Sequence, residues 1–217
     1  MDDLLLPLFP MEAVLLPEAP LALHIFEDRY KPMIRECLRA KSTGTGQQEF
    51  GVILAKEQEM QTVGCTARII NVTRKYPDGR MDIFTVGTRR FEVLYTNEEK
   101  AYLRGGVDFF DDDADADVPD EAEAQRAIEL FRQAVQRIHK SSEVPIHLPR
   151  PYRHLSFRIA APLPLDLDFK QQILSLRNEP ERLRQVMRAI DHLITQVDFV
   201  QKARSKAGGN GDIHPQG

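Results

Sequence analysis

One stretch narrows the fold more than any other: V-G-C-T-A-R-I-I-N-V-T-R-K-Y-P-D-G-R-M-D-I-F-T-V-G-T-R-R-F, from Val63 to Phe91. Cys65, Ala67 and Ile69 alternate with Thr66, Arg68 and Ile70, the period of a strand with one face buried. In the turn Tyr76-Pro77-Asp78-Gly79, Pro77 presets φ, Asp78 bonds its own backbone and Gly79 accepts a positive φ. Met81, Ile83 and Thr85 then alternate with Asp82, Phe84 and Val86 until Gly87 interrupts the run. A glycine inside a strand pattern signals a bulge or corner, through either a positive φ or a close backbone approach. Arg89-Arg90-Phe91 resumes the sheet, and a sheet that turns corners in this way closes on itself as a small barrel.

The chain around this hairpin reads as strands first and helices later. Leu4 to Phe9 is a first strand that Pro7 and Pro10 mark as edge-like or bulged, and Leu21 to Ile25 is a second. Tyr30, Met33, Ile34, Cys37 and Leu38 fall on one face of a helix that carries Pro32 in its opening turn. Phe50 to Ala55 is a strand apolar on both faces, and strands over Arg90 to Tyr95 and Tyr102 to Phe110 follow the hairpin. Past residue 120 the period changes to 3.6. Ala124, Ala127, Ile128, Phe131, Ala134, Val135 and Ile138 make one apolar stripe. Leu155 to Ala161 is a short helix stopped by Pro162 and Pro164, and Asp166 or Asp168 caps the next. Asn178, Pro180 and Glu181 open the last, lined by Leu183, Val186, Met187, Ile190, Leu193, Ile194 and Val197. The expected division is a barrel with one helix over 1–110, an acidic linker over 111–120, a helical subdomain over 121–206 and a disordered tail over 207–217.

Charge separates these parts. Residues 108–123 hold nine acidic side chains and no basic one, between a first part of net charge -1 and a last part of +6. Such a run is expected to be solvated and mobile. The basic residues of the last part are dispersed, and the pI is about 5.9, so a nucleic-acid footprint is not expected. Two cysteines, Cys37 and Cys65, sit inside apolar patterns and suit a reducing compartment. The N-terminus carries Asp2 and Asp3 and no basic region, so no signal peptide is read there. No apolar run reaches the roughly 18 residues that a spanning helix needs. A cytoplasmic protein with no membrane partner is the expectation.

Several of these segments also carry a resemblance. V-G-x-x-A-R-I, P-D-G-R and G-x-R-R-F, in this order and spacing, resemble the signature of the Lon N-terminal (LON) domain. L-P-L-F-P from Leu6, H-I-F-E-D-R-Y from His24, F-G-V-I-L-A from Phe50 and K-Q-Q-I-L-S-L-R-N-E-P-E-R-L from Lys170 are similar to the same family. Together they cover roughly residues 4 to 200. The resemblance implies an α+β fold: a PUA-like β-barrel subdomain followed by an α-helical subdomain. It also implies a non-catalytic, bacterial-type module that binds unfolded or tagged proteins or peptides, with a homo-oligomer left open.

The motif search agrees with a chain that carries no chemistry of its own. There is no G-x-x-x-x-G-K-[ST] for ATP phosphates, no H-E-x-x-H, no C-x-x-C and no G-x-S-x-G. Neither the ATPase nor the protease module of a full Lon protease is expected within it, and no cofactor and no metal are expected. His139, His147 and His154 are read as surface residues rather than ligands, and both cysteines as buried small hydrophobes. The candidate binding residues are Phe26, Arg29, Tyr30, Arg90 and Phe91, which lie in the H-I-F-E-D-R-Y and G-x-R-R-F motifs. Against a binding role, Phe26 and Tyr30 suit the core and Phe91 suits the barrel interior. Arg90 suits a rim pair with Glu27 or Asp28. A groove is expected where the two halves meet, because clefts favour such junctions. The alternative reading is an RNA- or small-molecule-binding PUA-like domain.

Overall fold

The hairpin is longer than its alternation suggests. In the computed structural model, which describes residues 5–57, 59–139, 148 and 150–208, its strands β4 (Glu59–Lys75) and β5 (Met81–Asn97) are each 17 residues long. Around them lie β1 (Leu6–Met11), β2 (Pro20–Ile25), β3 (Glu49–Lys56) and β6 (Arg104–Phe110). Pairing runs β5-β4-β3-β1-β6 and returns from β6 to β5, which closes a five-stranded ring. The step from β1 to β3 is parallel; the others are antiparallel. β2 stands outside the ring, against Met81 to Val86 of β5, while β6 takes the other half of β5 from Arg90 to Asn97. Three register shifts along β4 and β5 supply the curvature, because each extra residue bends and twists its strand.

One expectation changes here and another is met. β1 reads as an edge because of its prolines, yet it lies inside the ring and pairs with β6 only through Leu6 and Pro7. At Gly87 the bulge read from the sequence is present: pairing steps from Ala67↔Gly87 to Cys65↔Arg90, which leaves one extra residue on β5. Of its two readings close approach applies, since a Cβ at Gly87 would lie 2.2 Å from the Leu16 carbonyl oxygen. Of the two glycines weighed in the sequence, Gly79 alone has a positive φ, at 84° in the turn.

The barrel interior is a small cluster of Leu6, Leu8, Ile53 and Phe91, with Met60, Val93 and Val107 against it. The Phe91 ring lies over Gly51 and Gly64, where added Cβ atoms would come within 2.6 and 2.4 Å of it. The outer face of the ring carries a larger core, and this one is continuous with the helices. Helix α1 (Tyr30–Thr43) buries Tyr30, Met33, Ile34, Cys37 and Ala40 against it. Helix α2 (Glu121–His139) is capped by Asp120, whose carboxylate accepts from the Ala122 and Glu123 amides. α3 (Leu155–Ala160), α4 (Leu167–Ser175) and α5 (Glu179–Gly208) complete the chain. Asp166 caps α4, and Asn178 accepts from the Glu181 amide at the start of α5.

Phe9, Phe50 and Val52 of the barrel belong to the same apolar cluster as Phe131, Phe157, Ile173 and Ile190 of the helices. The two halves therefore share a core rather than folding around separate ones. The tail expected from residue 207 lies outside the described residues from 209 on, and α5 continues to Gly208.

Candidate functional site

The junction of the two halves is filled by charge. Arg90 on β5 is 2% exposed, as is Asp112, and Arg182 on α5 is 0% exposed. Arg182 spans both oxygens of Asp112 at 2.8 and 2.6 Å, and Arg90 reaches Asp112 Oδ1 at 2.7 Å. Each guanidinium also caps the end of α4. Arg90 donates to the carbonyls of Leu174 and Leu176, and Arg182 to that of Leu176. Arg182 further meets Glu179 Oε2 and Ser156 Oγ, while Glu179 accepts from the Ser156 amide at 2.8 Å and hydroxyl at 2.7 Å. The Phe157 ring lies 3.9 Å from the Arg182 guanidinium.

Burial and pairing oppose each other at these groups. Burial alone would raise the Asp112 carboxyl, but the bonds and charges of Arg182 and Arg90 outweigh it and hold it below the usual carboxylate range. At Glu179 burial wins over Arg182 and Ser156, and its carboxyl is raised. Burial lowers Arg90 despite its carboxylate partner. The arrangement is a fastener: Arg182 makes five hydrogen bonds to protein acceptors and Arg90 makes three.

This corrects two expectations. Arg90 is not a rim residue, and its carboxylate is Asp112 rather than Glu27 or Asp28. The reason is register: Arg90 alternates with Phe91, so a ring turned into the barrel sends the arginine out beneath the helices. The acidic segment is also not uniformly solvated. Asp111, Asp113, Asp115 and Asp120 are exposed, but Asp112 is drawn inward. The Asp113 amide donates to Arg177, and the Glu179 amide to Ala116.

The five sequence candidates separate accordingly. Phe91 is buried in the barrel, and Arg90 in the junction. Tyr30 is buried and stacks on Phe9 with ring centroids 4.2 Å apart. Phe26, expected in the core, is 58% exposed just past β2, because it continues the outward alternation of Ala22 and His24. His24 stacks beside it at 5.9 Å, pairs with Asp82 and stands edge-on to Tyr76. Arg29 is exposed, paired with Glu27 at 2.8 Å and set over the Tyr30 ring. Phe26 and Arg29 are thus the two candidates that reach solvent freely.

Elsewhere the surface offers clefts. One of about 840 Å³ opens between α1 and the β5–β6 turn, lined by Glu36, Arg39, Tyr95, Lys100, Tyr102 and Arg104 among others. Two more, of about 870 and 580 Å³, meet along α5 at Pro164, Leu193 and Gln196. Leu94, Tyr95, Phe109, Phe199 and Val200 are exposed apolar side chains on these outer faces. Nucleophile chemistry finds no support at the cysteines, whose thiols are both pushed up to about 12 by burial. Among the described residues no group of three or more His, Cys, Asp and Glu side chains is placed to hold a metal. His154 pairs instead with Glu18; His147 lies outside the described residues. Among those residues no helix is long and apolar enough to cross a membrane.

The family model for the ATP-dependent protease La (LON) substrate-binding domain matches residues 5–192. A Lon protease of Bacillus thuringiensis is 24% identical over 196 residues, which cover 87% of this chain and 24% of the relative. Lon protease 1 of Hydrogenovibrio crunogenus is 28% identical over 153 residues, covering 66% of this chain and 18% of the relative. The chain thus spans about a quarter or less of the length of these relatives. Among solved structures, the Lon N-terminal domain protein from Xanthomonas campestris superposes with a TM-score of 0.64 at 27% identity, covering 84% of this chain and 96% of that one. The N-terminal domain of the Mycobacterium avium complex Lon protease has a TM-score of 0.63 at 17% identity, with coverages of 86% and 98%, and shares the fold.

Proposed function

The chain belongs to the LON substrate-binding domain family, and from that premise we propose that it is a non-catalytic module that recognises unfolded or tagged polypeptides. The observation that carries this reading is the family match over residues 5–192. The surface supports it. Exposed aromatic and aliphatic side chains lie on separate outer faces, beside clefts with mixed polar and apolar linings. Such surfaces suit polypeptide segments better than a single small ligand, which calls for one enclosed pocket with a few convergent polar groups. Action in the cytoplasm, beside a protease or alone, belongs to the same proposal.

The test is an anisotropy titration with fluorescein-labelled α-lactalbumin. The reduced, carboxymethylated form is permanently unfolded; the disulfide-bonded form is the folded control. Binding of the unfolded form alone is expected. Equal binding of both, or of neither, refutes the reading, and displacement by a single-stranded oligoribonucleotide would favour RNA recognition instead.

A further inference from the structure

The outermost strand of the sheet, β2, has an edge with no strand paired to it among the described residues. Its orientation follows from two hydrogen bonds. The Ala19 carbonyl accepts from the Gly87 amide, and the Leu21 carbonyl accepts from the Thr85 hydroxyl. Both acceptors therefore face β5, in line with the register Leu21↔Thr85, Leu23↔Ile83 and Ile25↔Met81. In an antiparallel pair the N–H and C=O of one residue point to the same side, and successive residues point to opposite sides. The main-chain groups of Ala22 and His24 must then point away from β5, together with the Pro20 carbonyl. No hydrogen-bond partner for these groups occurs among the described residues. Pro20, Ala22 and His24 are exposed, while Leu23 and Ile25 are buried and fix the strand in place. Apart from Pro20 at its start and its shortness, the edge carries no lysine and no bulge, and no strand pairs with it among the described residues.

We propose that this edge of β2 is the docking site for an extended polypeptide segment, which adds to the sheet as a further strand; the proposal rests on the polypeptide-binding reading above. The occupant follows from what the edge offers. Two N–H and three C=O groups in one row pair with any main chain whose own groups are free. An unfolded chain has such groups and a folded one does not. Recognition through the backbone is tolerant of sequence, with selectivity left to side-chain contacts at alternate positions. Here those contacts are Ala22 and His24, followed by the exposed ring of Phe26, which favour an apolar residue opposite the strand's end. The row is as short as β2 itself, so a docked segment covers about six residues and exchanges rapidly.

Hydrogen exchange on the wild-type protein decides the matter. Carboxymethylated α-lactalbumin should slow exchange of the Ala22 and His24 amides by at least about tenfold, since ladder hydrogen bonds protect the amides that enter them. Ala22→Pro, which removes one outward N–H and leaves the bonds to β5 intact, should weaken binding by at least about tenfold. Ala22→Ser, which keeps that N–H, should bind as wild type, and the urea midpoint of both variants should match it. Protection elsewhere, or full binding by Ala22→Pro, overturns the edge site while leaving polypeptide binding intact. Protection that grows with the protein's own concentration and no probe assigns the edge to a second copy and also overturns it. If the unfolded probe does not bind at all, the underlying reading has failed. Should Ala22→Pro be destabilised, the exchange map of the wild-type protein still gives the answer.

Discussion

Replacing Asp112 by alanine should destabilise the protein more than any other change in the acidic segment. Three of the four hydrogen bonds that Arg90 and Arg182 make to carboxylates converge on this one side chain. Without it the two guanidinium groups, 2% and 0% exposed, face each other with one carboxylate fewer. Breaking a buried ion pair from one side costs about 3–5 kcal/mol. Glu179 and the α4 carbonyls remain for Arg182, so the lower half of that range applies. A domain of this size has about 5–15 kcal/mol in total, and a loss near 3 kcal/mol lowers Tm by about 6–12 °C. Arg90→Ala, judged by its burial, should fall in the same range rather than in the 0–1 kcal/mol of a rim pair. Urea melts of Asp112→Ala, Arg90→Ala and, as an exposed control, Asp113→Ala measure all three. An Asp112→Ala variant within about 0.5 kcal/mol of wild type, the range of ordinary surface substitutions, would refute the fastener.

Acid should loosen the same contact. The folded-state value of Asp112 is lowered, so its stabilisation is full above the unfolded value, near pH 4, and is lost as pH falls below it. Glu179, raised in the folded state, has the opposite sign: its contribution grows as pH falls. Asp112→Asn should therefore flatten the acid limb of the stability curve, and Glu179→Gln should steepen it; the reverse order in acid titrations followed by circular dichroism would contradict the assignment. In the barrel, Phe91→Ala should cost about 3–5 kcal/mol, because the ring fills the space above two glycines. Gly87→Val should cost at least about 1–3 kcal/mol, because its Cβ meets the Leu16 carbonyl; equal urea midpoints for either variant and wild type would rule out these contacts. Cys37 and Cys65, both pushed up to about 12, should resist iodoacetamide at neutral pH until the protein unfolds. Early labelling of Cys37 would mean that α1 opens locally.

Much of this was legible in the sequence because period is a local property. The alternation of β4 and β5, the turn at Gly79 and the apolar stripes of α1, α2 and α5 follow from spacing alone. The fastener was not legible, since it joins residues 90, 112, 156, 179 and 182 through tertiary pairing. Asp112 looks like every other carboxylate in its run, and nothing local marks it as the one turned inward. A partial signal existed on α5. Glu179 lies four, seven and eleven residues before Leu183, Val186 and Ile190, which puts a carboxylate on the buried stripe of its own helix. A charge at such a position requires a partner, and Arg182 at i+3 was the nearest. Phe26 shows the converse error: an aromatic next to a strand reads as core, but it continues the outward set of Ala22 and His24 rather than the buried set of Leu23 and Ile25.

A sealed junction changes where recognition can take place. One core runs through both halves, and Arg90, Asp112 and Arg182 are buried between them; the recognition proposed above is therefore assigned to the outer faces, as part of the same proposal. Stability and affinity should then separate in a single variant. Asp112→Ala, well below its Tm, keeps β2, Phe26 and the pairing with β5, all of which lie outside the fastener. It should bind carboxymethylated α-lactalbumin with the affinity of the wild-type protein in spite of its lower urea midpoint. A site that drew residues from both halves would instead lose affinity along with stability, because its geometry depends on how the halves are held. Anisotropy titrations of the two proteins, made at a temperature where both are fully folded, separate these cases. Unequal affinities would place the binding surface across the junction and remove the β2 edge from consideration.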